Sequence, residues 1–326
     1  MQVLAGDIGG TSARLAWVAV KEKGCETLAE RWYRSREHGS PIDVVRKFVH
    51  EFGVTVDRAC FGVAGPVREG RVQTPNLPWS VDGAELARAL GLPAVGIIND
   101  LEAHAYGIDL LKDEDLAVLN SGVATEGGTI AVISAGTGLG VAFAYWDGTA
   151  HRPLPSEGGH ADFAPRNELE AELLLYLRTE HGRVSCERVI SGPGLRNIYR
   201  FLRDRKQIPE SPKVAVEMLA DDSSRVISSA ALEGSCELCV RSLDLFASLY
   251  GAEAGNVALR YLATGGIYVG GGIAPKIIDK LREPAFMIAF TAKGRLSPLL
   301  ETIPVRVILN ERSALLGAAR CAALEG

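Results

Sequence analysis

Cysteine is sparse: six residues, at positions 25, 60, 186, 236, 239 and 321, in a chain of 326. Thiols scattered that widely exclude a disulfide-stapled secreted scaffold. No basic stretch occurs either, since 35 Lys and Arg stand against 40 Asp and Glu for a formal net charge of −5. That balance excludes the electrostatic footprint of a nucleic-acid binder. The sequence predicts no signal peptide either: it opens MQVLAGDIGG, without a basic n-region and with an aspartate at position 7. Long hydrophobic runs are absent but for residues 127–146, GGTIAVISAGTGLGVAFAYW. This segment has about the length of a membrane span, but its five glycines fit a buried hairpin better. What remains, 47% hydrophobic and 23% charged residues, predicts a soluble cytoplasmic protein. At roughly 150 residues per domain the length predicts about two domains.

The first 20 residues repeat the design of the 127–146 hairpin: VLAGDI, a glycine turn, then ARLAWVAV. Helical spacing follows in PIDVVRKFVHEFG, and strands in CFGVAGPV (60–67) and AVGIIND (94–100). VDGAELARALG and LEAHAYGIDLL read as helices, so strands and helices alternate as in an α/β domain with both sheet faces covered. The second half is more helical. ELEAELLLYLRTEHG (168–182) and GPGLRNIYRFLRDR (192–205) are helices, and DRKQIPESPK (204–213) is an exposed loop. Residues 224–262 predict two helices hinged at Gly251 and Gly255. ATGGIYVGGGIAPKII returns to strand, glycine turn and helix, and the last segment, 311–324, is a helix with small residues on one face.

Glycine supplies the first chemical signal, in three clusters: GDIGGT (6–11), AGTGLG (135–140) and VGGGIAP (269–275). A glycine turn after a strand lets backbone N–H groups approach an anion, phosphate above all. The usual nucleotide motifs are excluded, because no Gly-Lys dipeptide exists for a Walker A loop and no cluster matches G-x-G-x-x-G. One such cluster alone reads as a tight turn. Three together, one holding an acid, read as phosphate nests.

The acid is Asp7. Beside a bound triphosphate its carboxylate calls for a divalent cation, and Mg²⁺ is commonly held by one or two carboxylates, waters and phosphate oxygens. The alternative is an Asx turn that caps the hairpin. Asn99-Asp100 ends another buried strand, and open α/β sheets bind ligands at the carboxyl ends of their strands. Phosphoryl transfer to a hydroxyl needs a carboxylate to accept the proton, a role open to Asp100; taken alone, Asp100 reads better as a helix N-cap. Glu157 and His160 in SEGGH, Glu187 in SCERVISGPG and Asn99 together suit a polyhydroxyl ligand, though each singly reads as loop polarity. Their spacing matches no zinc pattern, and Cys236-x-x-Cys239 lacks a second pair. His104 belongs to the helix after Asp100, and Trp79 is either core or a sugar-stacking ring.

Taken in order, GDIGGT…AR, GVAGP, IIND, AGTGLGVA, EGGHADFAP, ERVISGPGL and GGGIAPK resemble the bacterial glucokinase family. That family lies within the actin–hexokinase–chaperone-ATPase superfamily, and the resemblance runs from residue 3 to about 320. It implies an α/β fold of two actin-like (ribonuclease H-like) domains flanking a catalytic cleft. The smaller would comprise 1–110 plus 304–326, with the C-terminal helix returning to it, and the larger 111–303. It implies that Gly6, Asp7, Ile8, Gly9, Gly10 and Thr11 meet the phosphates of ATP, with Asp7 holding Mg²⁺ through water. Gly136, Thr137 and Gly138 would form the second phosphate hairpin, and Gly271 would lie in the adenosine-side motif. Asp100 corresponds to the catalytic base, and Asn99, Asp100, Glu157, His160 and Glu187 correspond to the glucose ligands. After His160 the chain continues ADFAPRNELEAE, without the cysteine-rich zinc loop of the related ROK sugar kinases. The implied activity is transfer of the γ-phosphate of ATP to the 6-hydroxyl of glucose by a cytoplasmic homodimer, with neither nucleic acid nor membrane as partner. Alternatives are a kinase for another hexose or N-acetylhexosamine, a non-catalytic sugar sensor, and an actin-like filament protein.

Overall fold

The computed structural model describes residues 1–21, 24–74 and 79–325. In chain order it runs β1 (Gln2–Ile8), β2 (Ser12–Lys21), β3 (Gly24–Arg34), α1 (Pro41–Phe52), β4 (Arg58–Val63), β5 (Arg71–Gln73), β6 (Ser80–Asp82), α2 (Gly83–Leu90), β7 (Gly96–Asn99) and α3 (Asp100–Gly107). Next come β8 (Leu116–Asn120), β9 (Ile130–Ala135), β10 (Leu139–Trp146), β11 (His151–Leu154), α4 (Glu168–His181), α5 (Gly192–Lys206), α6 (Pro212–Ala220), α7 (Ser223–Leu232) and α8 (Glu237–Tyr261). The chain closes with β12 (Gly266–Gly270), α9 (Ile278–Arg282), α10 (Pro284–Thr291), α11 (Ser297–Thr302), β13 (Val305–Ile308) and α12 (Ser313–Glu325).

Packing divides the chain into two compact units. One takes Met1–Asp115, Ala142–Pro155 and the residues from Asn310 on; the other takes Leu116–Val141 and Ser156–Leu309. The expected boundaries at 110 and 304 thus differ from the observed ones by a few residues. The segment 142–155, expected in the larger domain, packs with the first unit.

In the first unit the sheet order is β3-β2-β1-β4-β7, antiparallel from β1 to β3 and parallel from β1 through β4 to β7. This is the ribonuclease H-like order. Alternation along β1 decides which helices cover which face. Leu4 and Ile8 pack with Val44, Val45 and Phe48 of α1 and Leu86 of α2, while Val3 and Ala5 pack with Ala103 and Tyr106 of α3 and with the alanines of α12. Helix α1 starts where Ser40 accepts a hydrogen bond from Asp43 N and Pro41 enters the first turn; it stops at Gly53, whose φ is 60°. The small-residue face expected of the last helix is used for close approach. A Cβ on Gly107 would lie 2.2 Å from Ser313 O, and one on Gly317 only 1.7 Å from Ala103 O. Trp79 is 3% exposed inside the α1/α2 core cluster, which rules out the sugar-stacking alternative.

A second sheet has the order β11-β10-β9-β12-β13-β8, and the hairpin expected over 127–146 forms its β9 and β10. Strand β12 runs parallel to β9 and β13 parallel to β12, so the same meander-then-parallel plan occurs twice. Two helical expectations are corrected. The long helical region breaks at 233–236, between α7 and α8, and not at Gly251 and Gly255, which lie inside a continuous α8. Those glycines exist for contact: a Cβ there would sit 2.1 Å from Phe286 O and 2.4 Å from Phe290 O of α10. The exposed loop is shorter than 204–213, because α5 continues to Lys206 and Pro212 opens α6 as an N1 proline. Cys236, half of the C-x-x-C pair, caps α8 by accepting from Cys239 N at 3.4 Å. All six cysteines are free.

Candidate active site

The predicted residues fall into two groups, one in each unit. In the first unit β1, β4 and β7 end together, since Ile8 pairs with Val63 and Val63 with Asn99. Neighbouring strands lie about 4.8 Å apart, so the carboxyl ends of β1 and β7 are about 10 Å apart across β4. Asp7 sits at one of these ends and Asp100 just past the other. Gly62 of β4 allows the approach of α3: a Cβ there would lie 2.9 Å from the Ala103 Cβ and 3.8 Å from the Asp100 Cα. Gly6 is likewise obligatory, because its Cβ would come within 2.3 Å of the Phe61 ring.

The turn after β1 is built from backbone. Gly9 N donates to Ser12 O at 2.9 Å, and the buried Ser35 donates its hydroxyl to Gly9 O at 2.9 Å and its N–H to Thr11 O at 3.0 Å. Sequence reasoning missed Ser35, which lies far from any glycine motif. The carboxylate of the half-buried Asp7 accepts no hydrogen bond among the described residues; burial pushes its pKa up from 3.8 to about 6 against the pull of Arg14. Arg14, its register partner on β2, is held by Glu30 through Nε at 2.6 Å and by Glu311 O at 3.0 Å. A carboxylate that is costly to ionise and accepts no hydrogen bond is a hard oxygen donor suited to Mg²⁺. Because its folded pKa exceeds the unfolded one, ionising Asp7 costs stability, and the loss appears as pH rises through about 6. Without nucleotide or metal, Asp7→Asn is therefore expected to be more stable than the parent at pH 8, by on the order of 2 kcal/mol. Urea melts should show that difference vanish near about pH 4.

At the β7–α3 junction the cap is Asn99. Its Oδ1 accepts from Leu101 N at 2.8 Å, its Nδ2 donates to Gly65 O at 3.0 Å, and Glu102 Oε2 accepts from Asn99 N at 2.9 Å, closing a capping box. The reading of Asp100 as N-cap is thereby overturned. Asp100 is the first helical residue, and its Oδ1 shares the Leu101 N–H at 3.0 Å. His104, one turn on, bonds Ser313 Oγ through Nδ1 at 2.7 Å, and burial lowers its pKa to about 4, which keeps it neutral. Asn99→Ala should cost about 1 kcal/mol in thermal or urea melts, whereas Asn99→Asp should restore most of it.

In the second unit, Glu157, His160 and Glu187 come together. His160 Nε2 stands 3.9 Å from Glu157 Oε2, and its Nδ1 stands 3.9 Å from Glu187 Oε1. The other Glu187 oxygen, Oε2, accepts from Leu139 N at 3.0 Å, at the exit of the turn Gly136–Gly138. Gly138 leaves room for the Glu187 carboxylate, because a Cβ there would lie 2.5 Å from that same oxygen; a Cβ on Gly159 would lie 1.8 Å from Leu139 O. Gly136 N donates to Gly138 O, and Gly192 N to Gly136 O, each at 2.8 Å, so the turn is fastened to the start of α5. The third glycine cluster lies beside the second. Gly271 has φ +84°, and a Cβ on it would lie 2.3 Å from Ala135 O. Tyr250, another residue the sequence did not single out, accepts from Ala135 N at 3.1 Å and donates to Ile133 O at 3.1 Å or Gly270 O at 3.3 Å. It ties the ends of β9 and β12. Among the described residues, no group of three or more His, Cys, Asp or Glu could hold a metal ion.

Each unit thus offers backbone turns suited to phosphate beside carboxylates suited to hydroxyls. The glucokinase family model matches residues 4–325. A glucokinase from Nostoc punctiforme is 44% identical over 98% of both chains. The crystal structure of a glucokinase from an Antarctic psychrotroph superposes with a TM-score of 0.88 at 33% identity, over 99% of this chain and 98% of that one. A ROK family glucokinase from Streptomyces griseus, solved with glucose and AMPPNP, shares the fold at TM-score 0.67 and 21% identity over 99% of each chain. With its two ribonuclease H-like units of the actin-like type, the chain belongs to the glucokinase family of ATP-dependent hexose kinases.

Proposed function

We propose that this kinase moves the γ-phosphoryl group of ATP to the 6-hydroxyl of glucose, with Asp100 as general base. The observation that carries the reading is the cap at the β7–α3 junction. Asn99 and Glu102 satisfy the helix start, so Asp100, at a strand's carboxyl end, is not the helix N-cap that its position suggested. Glu157, His160 and Glu187, with Asn99 and Asp100, would pair with the sugar hydroxyls. Such a site rejects ligands lacking a hydroxyl, because its own groups then go unpaired. Asp100 accepts the proton of the 6-hydroxyl as that oxygen bonds to the γ-phosphorus and the bridging bond to ADP breaks. Backbone N–H groups of Gly6–Thr11 and of Gly136–Gly138 would meet the phosphates, with Gly271 on the adenosine side. Asp7 would hold Mg²⁺ through water, and the ion, when bound, neutralises charge on the phosphate oxygens. A cytoplasmic homodimer that feeds glycolysis is the corresponding expectation from the family. In support of the location, no helix among the described residues is long and apolar enough to cross a membrane.

A coupled assay of ADP release with Mg·ATP over glucose, mannose, fructose and N-acetylglucosamine tests the acceptor. Turnover greatest with glucose supports the reading. Tight glucose binding without turnover on any sugar would make the protein a sensor. The Glu187–Leu139 hydrogen bond adds a finer expectation. Glu187→Ala should raise the KM of both glucose and ATP, each by about tenfold, because a charge-assisted hydrogen bond to the phosphate turn is lost with the sugar contact. Glu157→Ala, which lacks that bond, should raise the glucose KM alone.

A further inference from the structure

The second unit holds a pocket of about 170 Å³ that the phosphoryl-transfer reading does not use. Phe163 and Leu249 give it apolar walls, and Arg166, Glu170, Cys186, Glu253, Asn256 and Lys293 give it polar ones. At about 30 Å³ per water it has room for roughly six non-hydrogen atoms. The charge around it is unbalanced. Arg166 is paired with the buried Glu170, and Arg260 with the buried Glu253 at 2.7 Å. Among the described residues, Lys293 has no carboxylate within ion-pair distance; its Nζ donates to Ala252 O at 2.9 Å and Asn256 Oδ1 at 2.7 Å, both neutral acceptors. An ammonium carries three N–H donors, so one remains. Each of the two lining carboxylates thus has an arginine partner, and Lys293 is the lining cation left without one. Burial and then the nearby Arg166 push the Lys293 pKa down, against the weaker pull of Glu253 and Glu170.

We propose that this pocket binds a small organic monocarboxylate of about three carbons, its carboxylate on Lys293 and its carbon tail against Phe163 and Leu249. The apolar walls favour such an acid over inorganic phosphate, which has no tail to bury. Two of the pocket's walls adjoin the sugar group along the chain. Phe163–Arg166 continue directly from the His160 loop, Phe163 N donates to Val184 O at 3.0 Å, and Cys186 N donates to Ala161 O at 2.9 Å, one residue before Glu187. An anion seated there holds both strands of chain in the arrangement that sets His160 between Glu157 and Glu187, and so tightens glucose binding. This last consequence rests on the sugar-ligand reading above; binding of the acid does not.

Titration calorimetry of the full chain with sodium lactate, at ionic strength fixed with chloride, tests the site. Saturable binding of one lactate per chain is expected, weakened at least about tenfold in Lys293→Gln and absent for the neutral lactamide. The glutamine keeps a donor for Ala252 O, so an unchanged melting temperature and unchanged turnover without lactate are expected of the variant. No saturable heat with the parent protein, equal binding by the variant or by lactamide, or tighter binding of phosphate than of lactate would each overturn the site. Glucose affinity measured with and without lactate must shift by the same factor as lactate affinity with and without glucose. Lactate binding with an unchanged glucose affinity overturns the coupling. Lactate binding by a chain that binds no glucose leaves the site standing and removes the sugar reading.

Discussion

Asp100→Asn is expected to abolish turnover while glucose affinity stays within about tenfold of the parent. The amide keeps the size of the side chain and can still hydrogen-bond a hydroxyl, so ground-state binding changes little. It cannot accept the proton that the 6-hydroxyl must lose. The helix start is kept, since its cap depends on Asn99 and Glu102 rather than on Asp100. A coupled assay beside calorimetric glucose titration separates the two effects. Full turnover in the variant would remove Asp100 from the role of base. Loss of both turnover and binding would make it a sugar ligand first.

Gly317→Val is expected to give the largest loss of stability of any single substitution named here, at least about 3 kcal/mol, which thermal melts would read as a large drop in Tm. A Cβ at this position would lie 1.7 Å from Ala103 O and 2.7 Å from Gly107 N, both backbone atoms that no rotamer change can move. The α3–α12 pair must separate to admit it. Because α3 begins with Asp100, the same substitution should lower kcat in whatever fraction stays folded, and a neighbouring change such as Arg320→Lys should not. An unchanged Tm would mean that the two helices do not pack at the observed distance.

How far the sequence could be read followed from how local each signal was. The hairpins at Gly6–Thr11 and 135–140, the amphipathic α1 and the Gly182 stop of α4 each depend on a few neighbouring residues, and all are where the sequence put them. Gly251 and Gly255 misled, because glycine in a helical pattern signals either a hinge or a contact. Only the carbonyls of Phe286 and Phe290 on α10 decide for contact. Asp100 misled for a related reason. Asn and Asp cap equally well, and local sequence cannot rank adjacent candidates; the hydrogen bond from Asn99 Nδ2 to Gly65 O, 34 residues away, fixes which one turns inward.

By itself, then, the sequence determined the two-fold α/β plan, the glycine turns at strand ends and the set of carboxylates and imidazole that suits a sugar, because strand period, turn chemistry and side-chain type are local properties. Tertiary structure alone decided that His160 stands between Glu157 and Glu187, and that Glu187 also holds the Gly136–Gly138 turn. It alone decided that Tyr250 and Ser35 tie down the strand ends and the first turn, and that Lys293 faces a pocket without a counter-charge. Each of these joins residues far apart in the chain through distance and burial, and neither quantity is written in residue order.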